Sequence, residues 1–230
     1  MIYGSNPVIL AIDTSTRTVG LGLYDGGQVL AESIWESHDY HTVELAPAVV
    51  EMLKRAQMST ADLGAITVAV GPGSFTGLRI GLALAKGLVL ALRIPLIGVP
   101  TLDIVAASQM PGNLPLAAVL RAGRGRLATA WYENENGAWK LMDKIEVFTP
   151  QALCERILSP TIVCGELSVA ERQFFADTNP FIQMVSPAQS LRRPAYLAEI
   201  AWQRWQSNHV DDPASLSPIY LHYNEPIPES

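Results

Sequence analysis

Asp13 is the first residue of this 230-residue chain whose type and position could do chemistry. It ends the apolar run 8–13, and three hydroxyl residues follow it: Thr14, Ser15 and Thr16. An aspartate there can hold a metal ion, and backbone N–H groups of the turn can face a phosphate. A glycine two residues after the aspartate would let a phosphate approach closely, but Ser15 stands at that position. The same residues also suit an Asx or Ser/Thr turn that only ends a strand.

A second turn, at residues 121–126, concentrates positive charge in Arg121, Arg124 and Arg126. The Asp13 turn resembles the phosphate loop of the actin, hexokinase and Hsp70 ATPase superfamily, whose second lobe carries another aspartate at the matching turn. Guanidinium groups attract an anion or a partner's acidic surface, but they cannot replace the oxygen ligands that Mg²⁺ requires. The nucleotide interpretation therefore weakens, and we predict no bound metal and no cofactor, with Asp13, Thr14, Ser15 and Thr16 as a vestigial loop.

The most distinctive string is Gly-Pro-Gly-Ser-Phe-Thr-Gly-Leu-Arg at residues 71–79. It lacks the Gly-Lys-Ser/Thr ending of a Walker A loop, although the N-terminus of the helix that it opens could still bind an anion. That helix, predicted for residues 75–92, has an apolar arc of roughly 220°, whereas a surface helix on one sheet needs about 100°. It must therefore be covered on a second side.

The helix predicted for residues 40–57 also has a wider apolar arc than a single neighbour requires. Either these two helices cover each other entirely, or a protein partner completes the packing, and we favour the partner. Glycines four residues apart would permit close approach of another backbone. The predicted interface residues are Leu45, Val49, Met52, Leu53, Gly77, Ile80, Gly81, Leu84, Ala85 and Leu88.

Two further groups of residues could suggest a metal. His38 and His41 with Glu44 could be drawn as a metal site, but zinc motifs on helices favour histidines four residues apart, so a solvated helix entry is preferred. Cys154 and Cys164 lack metal-ligand spacing and are expected to be reduced thiols near a core.

Composition excludes several protein classes. The chain is 49% hydrophobic and 17% charged, which excludes disorder, and its net charge of −6 argues against a dedicated nucleic-acid binder. Residues 1–7 show no basic region ahead of an apolar run, so no signal peptide is expected. The apolar stretch 80–92 contains Lys86 and is too short to cross a bilayer. We expect a soluble cytoplasmic protein without membrane contact.

The elements that must position these residues form a repeat. Three strands joined by tight turns, then alternating helices and strands, occur twice, which predicts two similar α/β lobes with a ligand cleft between them. The expected domains are residues 1–109 and a smaller lobe at 110–230, whose tail 208–230 packs back. Residues 139–148 are predicted as one strand, and Thr101 as the cap of a helix that runs to about residue 109.

The 8–14 strand with its hairpin, His41 and Pro47 in the first helix, and the 71–79 string together resemble the TsaB family, formerly grouped with the glycoproteases. The resemblance covers residues 8–109 most closely and implies a duplicated βββαβαβα fold of the actin-like, Hsp70-like ATPase type with a reduced second lobe. The related transferase TsaD binds metal through a His-x-x-x-His motif, and the corresponding residues 99–105 of this chain contain no histidine.

The resemblance implies a non-catalytic subunit that binds and activates a TsaD-like catalytic subunit in N6-threonylcarbamoyladenosine modification of tRNA position 37. It also implies a TsaE-like ATPase as a further partner, a homodimer when the chain is alone, and only indirect contact with tRNA. Three alternatives stay open: an ATP-dependent small-metabolite kinase, a metallopeptidase of the glycoprotease type, and a direct tRNA binder. The last would use Arg121, Arg124 and Arg126, with Arg192 and Arg193.

Overall fold

The first half of the chain builds a five-stranded mixed sheet. The computed structural model describes residues 7–37 and 41–221. The strands are β1 (Val8–Asp13), β2 (Thr18–Tyr24), β3 (Val29–Glu36), β4 (Leu63–Ala69) and β5 (Leu96–Val99). Their order is β3-β2-β1-β4-β5, with β1 antiparallel to β2 and parallel to β4.

Helices cover both faces of this sheet, so that every residue of β1 is buried. Alternate residues of a strand point to opposite faces, and β1 is apolar on both. Leu10 and Ile12 join the core beneath α1 (His41–Arg55) and α2 (Phe75–Leu92). A short 3-10 turn, Thr60–Asp62, leads from α1 into β4.

The second half repeats this plan with a six-stranded sheet and shorter helices. Its strands are β6 (Leu116–Arg121), β7 (Leu127–Glu135), β8 (Ala138–Leu141), β9 (Glu146–Phe148), β10 (Thr161–Gly165) and β11 (Ile182–Met184). The sheet order is β11-β10-β6-β7-β8, and β9 also pairs with β7. The helices α4 (Pro150–Arg156) and α5 (Val169–Thr178) are shorter than α1 and α2. The predicted duplicated fold with a reduced second lobe is confirmed.

The last helix of each half crosses to the other sheet. Leu102 and Val105 of α3 (Thr101–Ala107) pack with Leu116 of the second sheet. Leu197 of α6 (Pro194–Gln206) packs with Ile9 of the first sheet. The expectation that the second lobe extends from residue 110 to residue 230 is therefore corrected, because the chain returns to the first sheet at α6.

The residues after α6 stay with the first sheet. The Asp211 N–H donates to the Leu96 carbonyl at 2.8 Å, and the Ile219 N–H donates to the Val70 carbonyl at 2.7 Å. The tail 208–230 is predicted to pack back. The part of it that the structure describes, residues 208–221, lies beside β5 and the loop that precedes α2. Residues 222–230 lie outside the described residues.

Two local predictions are wrong. The strand expected over residues 139–148 is split into β8 and β9, which pair with different parts of β7 because the chain bends away between them. Thr101 is the first residue of α3 and not its cap. Its hydroxyl instead accepts a hydrogen bond from the Gly71 N–H at 3.1 Å, which ties α3 to the loop before α2.

Within residues 7–37 and 41–221, α2 alone has the length and composition of a membrane span. The core helix of a globular protein passes the same test. Leu82, Ala85 and Val89 of α2 belong to the core of the first lobe.

Candidate functional site

Asp13 is the centre of a buried polar cluster at the carboxyl end of β1. Its Oδ1 accepts hydrogen bonds from the Ser15 N–H at 2.9 Å and from the Ser15 hydroxyl at 2.5 Å. Its Oδ2 accepts a hydrogen bond from Arg192 Nε at 2.9 Å. Both carboxylate oxygens are therefore engaged within the chain. Asp and Ser favour turns of this kind because their side chains bond to the backbone two residues away.

Arg192 joins the two lobes. Besides Asp13, its guanidinium donates to Glu166 at the end of β10, to the Thr16 hydroxyl at 2.8 Å and to the Thr18 carbonyl at 3.2 Å. Burial by itself would lower the pKa of this guanidinium, but Asp13 and Glu166 raise it above its ordinary value, so the group keeps its charge. A fixed internal cation thus stands between the two lobes.

This arrangement does not fit the metal and nucleotide of the ATPase superfamily. A carboxylate that is paired with a buried arginine has no oxygen left for a metal ion or its water. The matching turn of the second lobe presents Arg121, whose charge would repel a divalent cation. Of the four predicted loop residues, Thr16 lines the cleft, whereas Asp13, Thr14 and Ser15 are buried behind it with the contacts of a structural turn.

The 71–79 string packs directly onto that turn. The Ser74 N–H donates to the Ser15 carbonyl at 2.6 Å, and the Thr14 hydroxyl donates to the Gly77 carbonyl at 2.7 Å. A Cβ at Gly77 or Gly81 would overlap an oxygen of Thr14. These two glycines therefore permit close approach of a loop of the same chain, which corrects the expectation that they contact a partner.

The remaining predicted interface residues separate into two groups. Five side chains are buried in the core of the first lobe, namely Leu45, Val49, Met52, Leu53 and Ala85. Three side chains are half-buried between core and surface, namely Ile80, Leu84 and Leu88. Much of the surplus apolar arc is thus used inside the chain, and only the second group can offer a partially exposed surface.

An apolar groove nevertheless runs between α1 and α2. Its volume is about 440 Å³, and it is lined by Leu45, Ala46, Phe75, Thr76, Arg79, Ile80, Ala83 and Leu84. Val50 lies one turn after Ala46 on the same side of α1, and its side chain is 66% exposed. We call Ala46, Val50, Ile80, Ala83 and Leu84 the α1–α2 face.

An aromatic and arginine cluster closes one end of this groove. The Arg79 guanidinium lies 3.6 Å from the Phe75 ring centroid, and its Nε donates to the Tyr220 hydroxyl at 2.9 Å. The Phe75 and Tyr220 rings are 5.1 Å apart. Sequence reasoning missed Tyr220, because 141 positions separate it from Arg79 and no local pattern connects them.

The cleft between the lobes has a volume of about 1130 Å³. Residues of both lobes line it, among them Arg17, Glu36, Glu166, Phe75, Tyr220 and the whole 121–126 turn. Two arginines proposed for direct tRNA contact are not in this lining. Arg192 is buried, and Arg193 donates from Nε to Glu32 at 2.9 Å, so both are removed from that hypothesis.

The remaining candidate metal ligands are the histidines with Glu44 and the two cysteines. His38 lies outside the described residues. Glu44 accepts a hydrogen bond from the Trp35 indole N–H at 3.2 Å. Among the residues that the structure describes, no three His, Cys, Asp or Glu side chains are close enough to share a metal ion. Cys154 and Cys164 are both buried free thiols, and burial raises the pKa of Cys164 to about 12.

Comparison with known proteins identifies relatives of the whole chain. The family model described as TsaD, tRNA N6-adenosine threonylcarbamoyltransferase, matches residues 28–154. The tRNA threonylcarbamoyladenosine biosynthesis protein TsaB of Bacillus subtilis (strain 168) is 41% identical over 229 residues, covering 94% of this chain and 95% of that protein. TsaB of Escherichia coli (strain K12) is 36% identical over 152 residues, 65% of each chain.

Solved structures agree with this relationship. YeaZ from Pseudomonas aeruginosa superposes with a TM-score of 0.76 at 25% identity, covering 94% of this chain and 100% of that chain. Component A of (R)-2-hydroxyglutaryl-CoA dehydratase from Acidaminococcus fermentans gives a TM-score of 0.50 at 11% identity over 85% of this chain and 97% of that one, which shows the fold alone. With its two-lobed actin-like fold, the chain belongs to the TsaB family of tRNA threonylcarbamoyladenosine biosynthesis proteins.

Proposed function

We propose that this chain is a non-catalytic subunit that binds and activates a TsaD-like threonylcarbamoyltransferase during N6-threonylcarbamoyladenosine modification of tRNA position 37. The observation that carries the proposal is the apolar α1–α2 face. It lies on a chain in which Arg192 pairs with Asp13, the aspartate of the candidate metal and phosphate loop. The first feature supports a partner, and the second supports the absence of chemistry of its own.

The buried Arg192–Asp13 pair speaks against the kinase alternative. A kinase needs a carboxylate that is free to handle a metal ion beside the transferred phosphate. Both oxygens of Asp13 are engaged inside the protein. The metallopeptidase alternative has no specific observation in its favour, since the described residues contain no cluster of metal ligands.

The α1–α2 face supports a protein partner of the same fold. Apolar residues that recur along one side of a helix are normally covered, and Val50 is largely exposed. Residues 28–154, which include α1 and α2, match the TsaD family model, so we expect such a transferase to carry equivalent helices. Equivalent helices of two related chains pack against each other readily, because their ridges and grooves have similar spacing.

Further partners follow from the same proposal. In the absence of the transferase, a second copy of this chain would occupy the α1–α2 face and give a homodimer. A TsaE-like ATPase would join the assembled pair, and tRNA would be modified on the transferase. We place the complex in the cytoplasm, together with its tRNA substrate.

Reconstituted tRNA modification tests this proposal. The transferase is incubated with its substrates, a TsaE-like ATPase and unmodified tRNA, with and without this chain, and the modified nucleoside is quantified by mass spectrometry. We expect formation of the nucleoside to depend on the chain and to fall strongly with Leu84→Asp, whose fold is checked by thermal unfolding. Equal formation without the chain would contradict a role as an activating subunit.

A further inference from the structure

The cleft between the lobes concentrates cations in a chain whose net charge is −6. Four arginines line it from both lobes: Arg17, Arg121, Arg124 and Arg126. The carboxylates in the lining are those of Glu36 and Glu166. Four arginines against two carboxylates leave the lining with a formal charge of +2, and the buried Arg192 that pairs with Glu166 is shared with Asp13. The cleft therefore presents an excess of positive charge, which favours an anionic ligand.

A fixed turn supports the arginines of the second lobe. The Ala122 N–H donates to the Arg126 carbonyl at 2.8 Å, and the Arg126 N–H donates to the Gly123 carbonyl at 3.0 Å. Arg121 and Arg124 are exposed on this turn, within the cleft lining. Because the backbone is already ordered, binding an anion there costs little further conformational entropy.

The opposite wall of the cleft is aromatic. The adjacent rings of Phe75 and Tyr220, tilted by 35° to each other, lie in the lining, and Phe75 is 53% exposed. A groove lined by both arginines and aromatic rings is typical of sites for single-stranded nucleic acid, since bases stack on the rings and phosphates meet the arginines. An acidic peptide would contact the arginines but would make no stacking contact with the rings.

The size of the cleft admits a ligand longer than a single nucleotide. Its volume of about 1130 Å³ exceeds the range of roughly 300–1,000 Å³ found for small-molecule pockets. We infer that the cleft binds a short single-stranded RNA segment, with its phosphates on Arg121 and Arg124 and a base against Phe75 and Tyr220. The choice of RNA over DNA rests on the proposed function, whereas the choice of a nucleic acid rests on the cleft.

Fluorescence anisotropy of a labelled twelve-nucleotide (CA)6 RNA with the full chain tests this inference. The double variant Arg121→Gln, Arg124→Gln is compared with wild type and with Arg156→Gln, an exposed arginine of the same lobe outside the cleft lining. We expect about tenfold weaker binding for the double variant. The slope of log affinity against log salt should become shallower by about 0.7 for each lost phosphate contact.

Each outcome decides the inference. Arginine-dependent binding of (CA)6 that AMP does not displace at the same phosphate concentration supports a polymer site. Displacement by AMP, binding of a glutamate decapeptide in place of RNA, or equal binding by the double variant overturns the inference. Co-purification of each variant with the transferase is measured in parallel. If the wild-type chain does not co-purify with the transferase, the proposed function is contradicted. Weak RNA binding together with intact co-purification contradicts only the RNA site.

Discussion

Arg192 Nε donates to Asp13 Oδ2 over 2.9 Å, although 179 positions of sequence separate the two residues. The two side chains are 1% and 3% exposed. The pair connects the segment before α6 to the end of β1, and Glu166 extends it to the second lobe. The two lobes are thus linked by a cation of the protein itself, at the place where the ATPase superfamily uses an exchangeable metal and nucleotide.

Replacing Arg192 should destabilise the protein strongly. In Arg192→Met, Asp13 would remain buried without a charge partner, which typically costs about 3–5 kcal/mol of unfolding free energy. The matched control is Arg193→Met, which removes the neighbouring and only partly buried pair with Glu32 and should cost about 1 kcal/mol. Urea unfolding at pH 7 measures both. An equal loss of unfolding free energy in both variants would mean that the buried pair stabilises the protein no more than the Arg193–Glu32 pair does.

The glycines of α2 should differ in their tolerance of a methyl group. In Gly81→Ala the new Cβ would overlap the Thr14 hydroxyl, and such overpacking costs about 1–3 kcal/mol. Gly87 lies on the same helix with no atom within 4 Å of an added Cβ, so Gly87→Ala should be neutral or stabilise by up to about 1 kcal/mol. Thermal and urea unfolding report the difference. Stabilisation by Gly81→Ala would contradict the close contact between α2 and the Asp13 turn.

Asp103 should make stability depend on pH. Tyr132 donates a hydrogen bond to Asp103 Oδ1 at 2.6 Å, which joins α3 to β7. Burial raises the pKa of the Asp103 carboxyl above its ordinary value, against the lowering effects of this hydrogen bond and of Arg204. A raised carboxyl pKa contributes stability that is present below about pH 4 and is lost as pH rises through the folded-state pKa.

The comparison with Asp103→Asn isolates that contribution. The unfolding free energy of wild type minus that of Asp103→Asn should decrease as the pH is raised from about 4 toward 7. Urea unfolding of both proteins across this range gives the difference directly. A difference that increases with pH would mean that the ionised carboxylate is stabilised in the folded state.

Local patterns in the sequence predict most of the fold. The apolar run of β1 and the long periodic α2 depend on neighbouring residues, and their predicted bounds agree closely with those of the structure. The short β11 and the crossing of α3 and α6 depend on distant partners, so no local pattern indicates them. The split of residues 139–148 likewise reflects pairing with two separate parts of β7.

The site was predictable only where its residues are close in sequence. The sequence identifies Asp13–Thr16, but it offers Arg192 only as a candidate for tRNA contact, because a helical wheel or a motif cannot show a contact across the two lobes. The wide apolar arcs of α1 and α2 have two causes that look alike in a sequence. Leu45 and Val49 fill the core of the chain, whereas Val50 remains on the surface.

The most direct test of the proposed partnership is the affinity of the purified chain for the TsaD-like transferase, measured by isothermal titration calorimetry. Val50→Asp places a charge on the α1–α2 face, and Val169→Asp places the same charge on the second lobe, where Val169 is 86% exposed. Burying an unpaired carboxylate at an interface should weaken binding by about tenfold to a hundredfold for Val50→Asp. We predict that loss together with unchanged binding of Val169→Asp, whereas wild-type affinity in both variants would contradict the account.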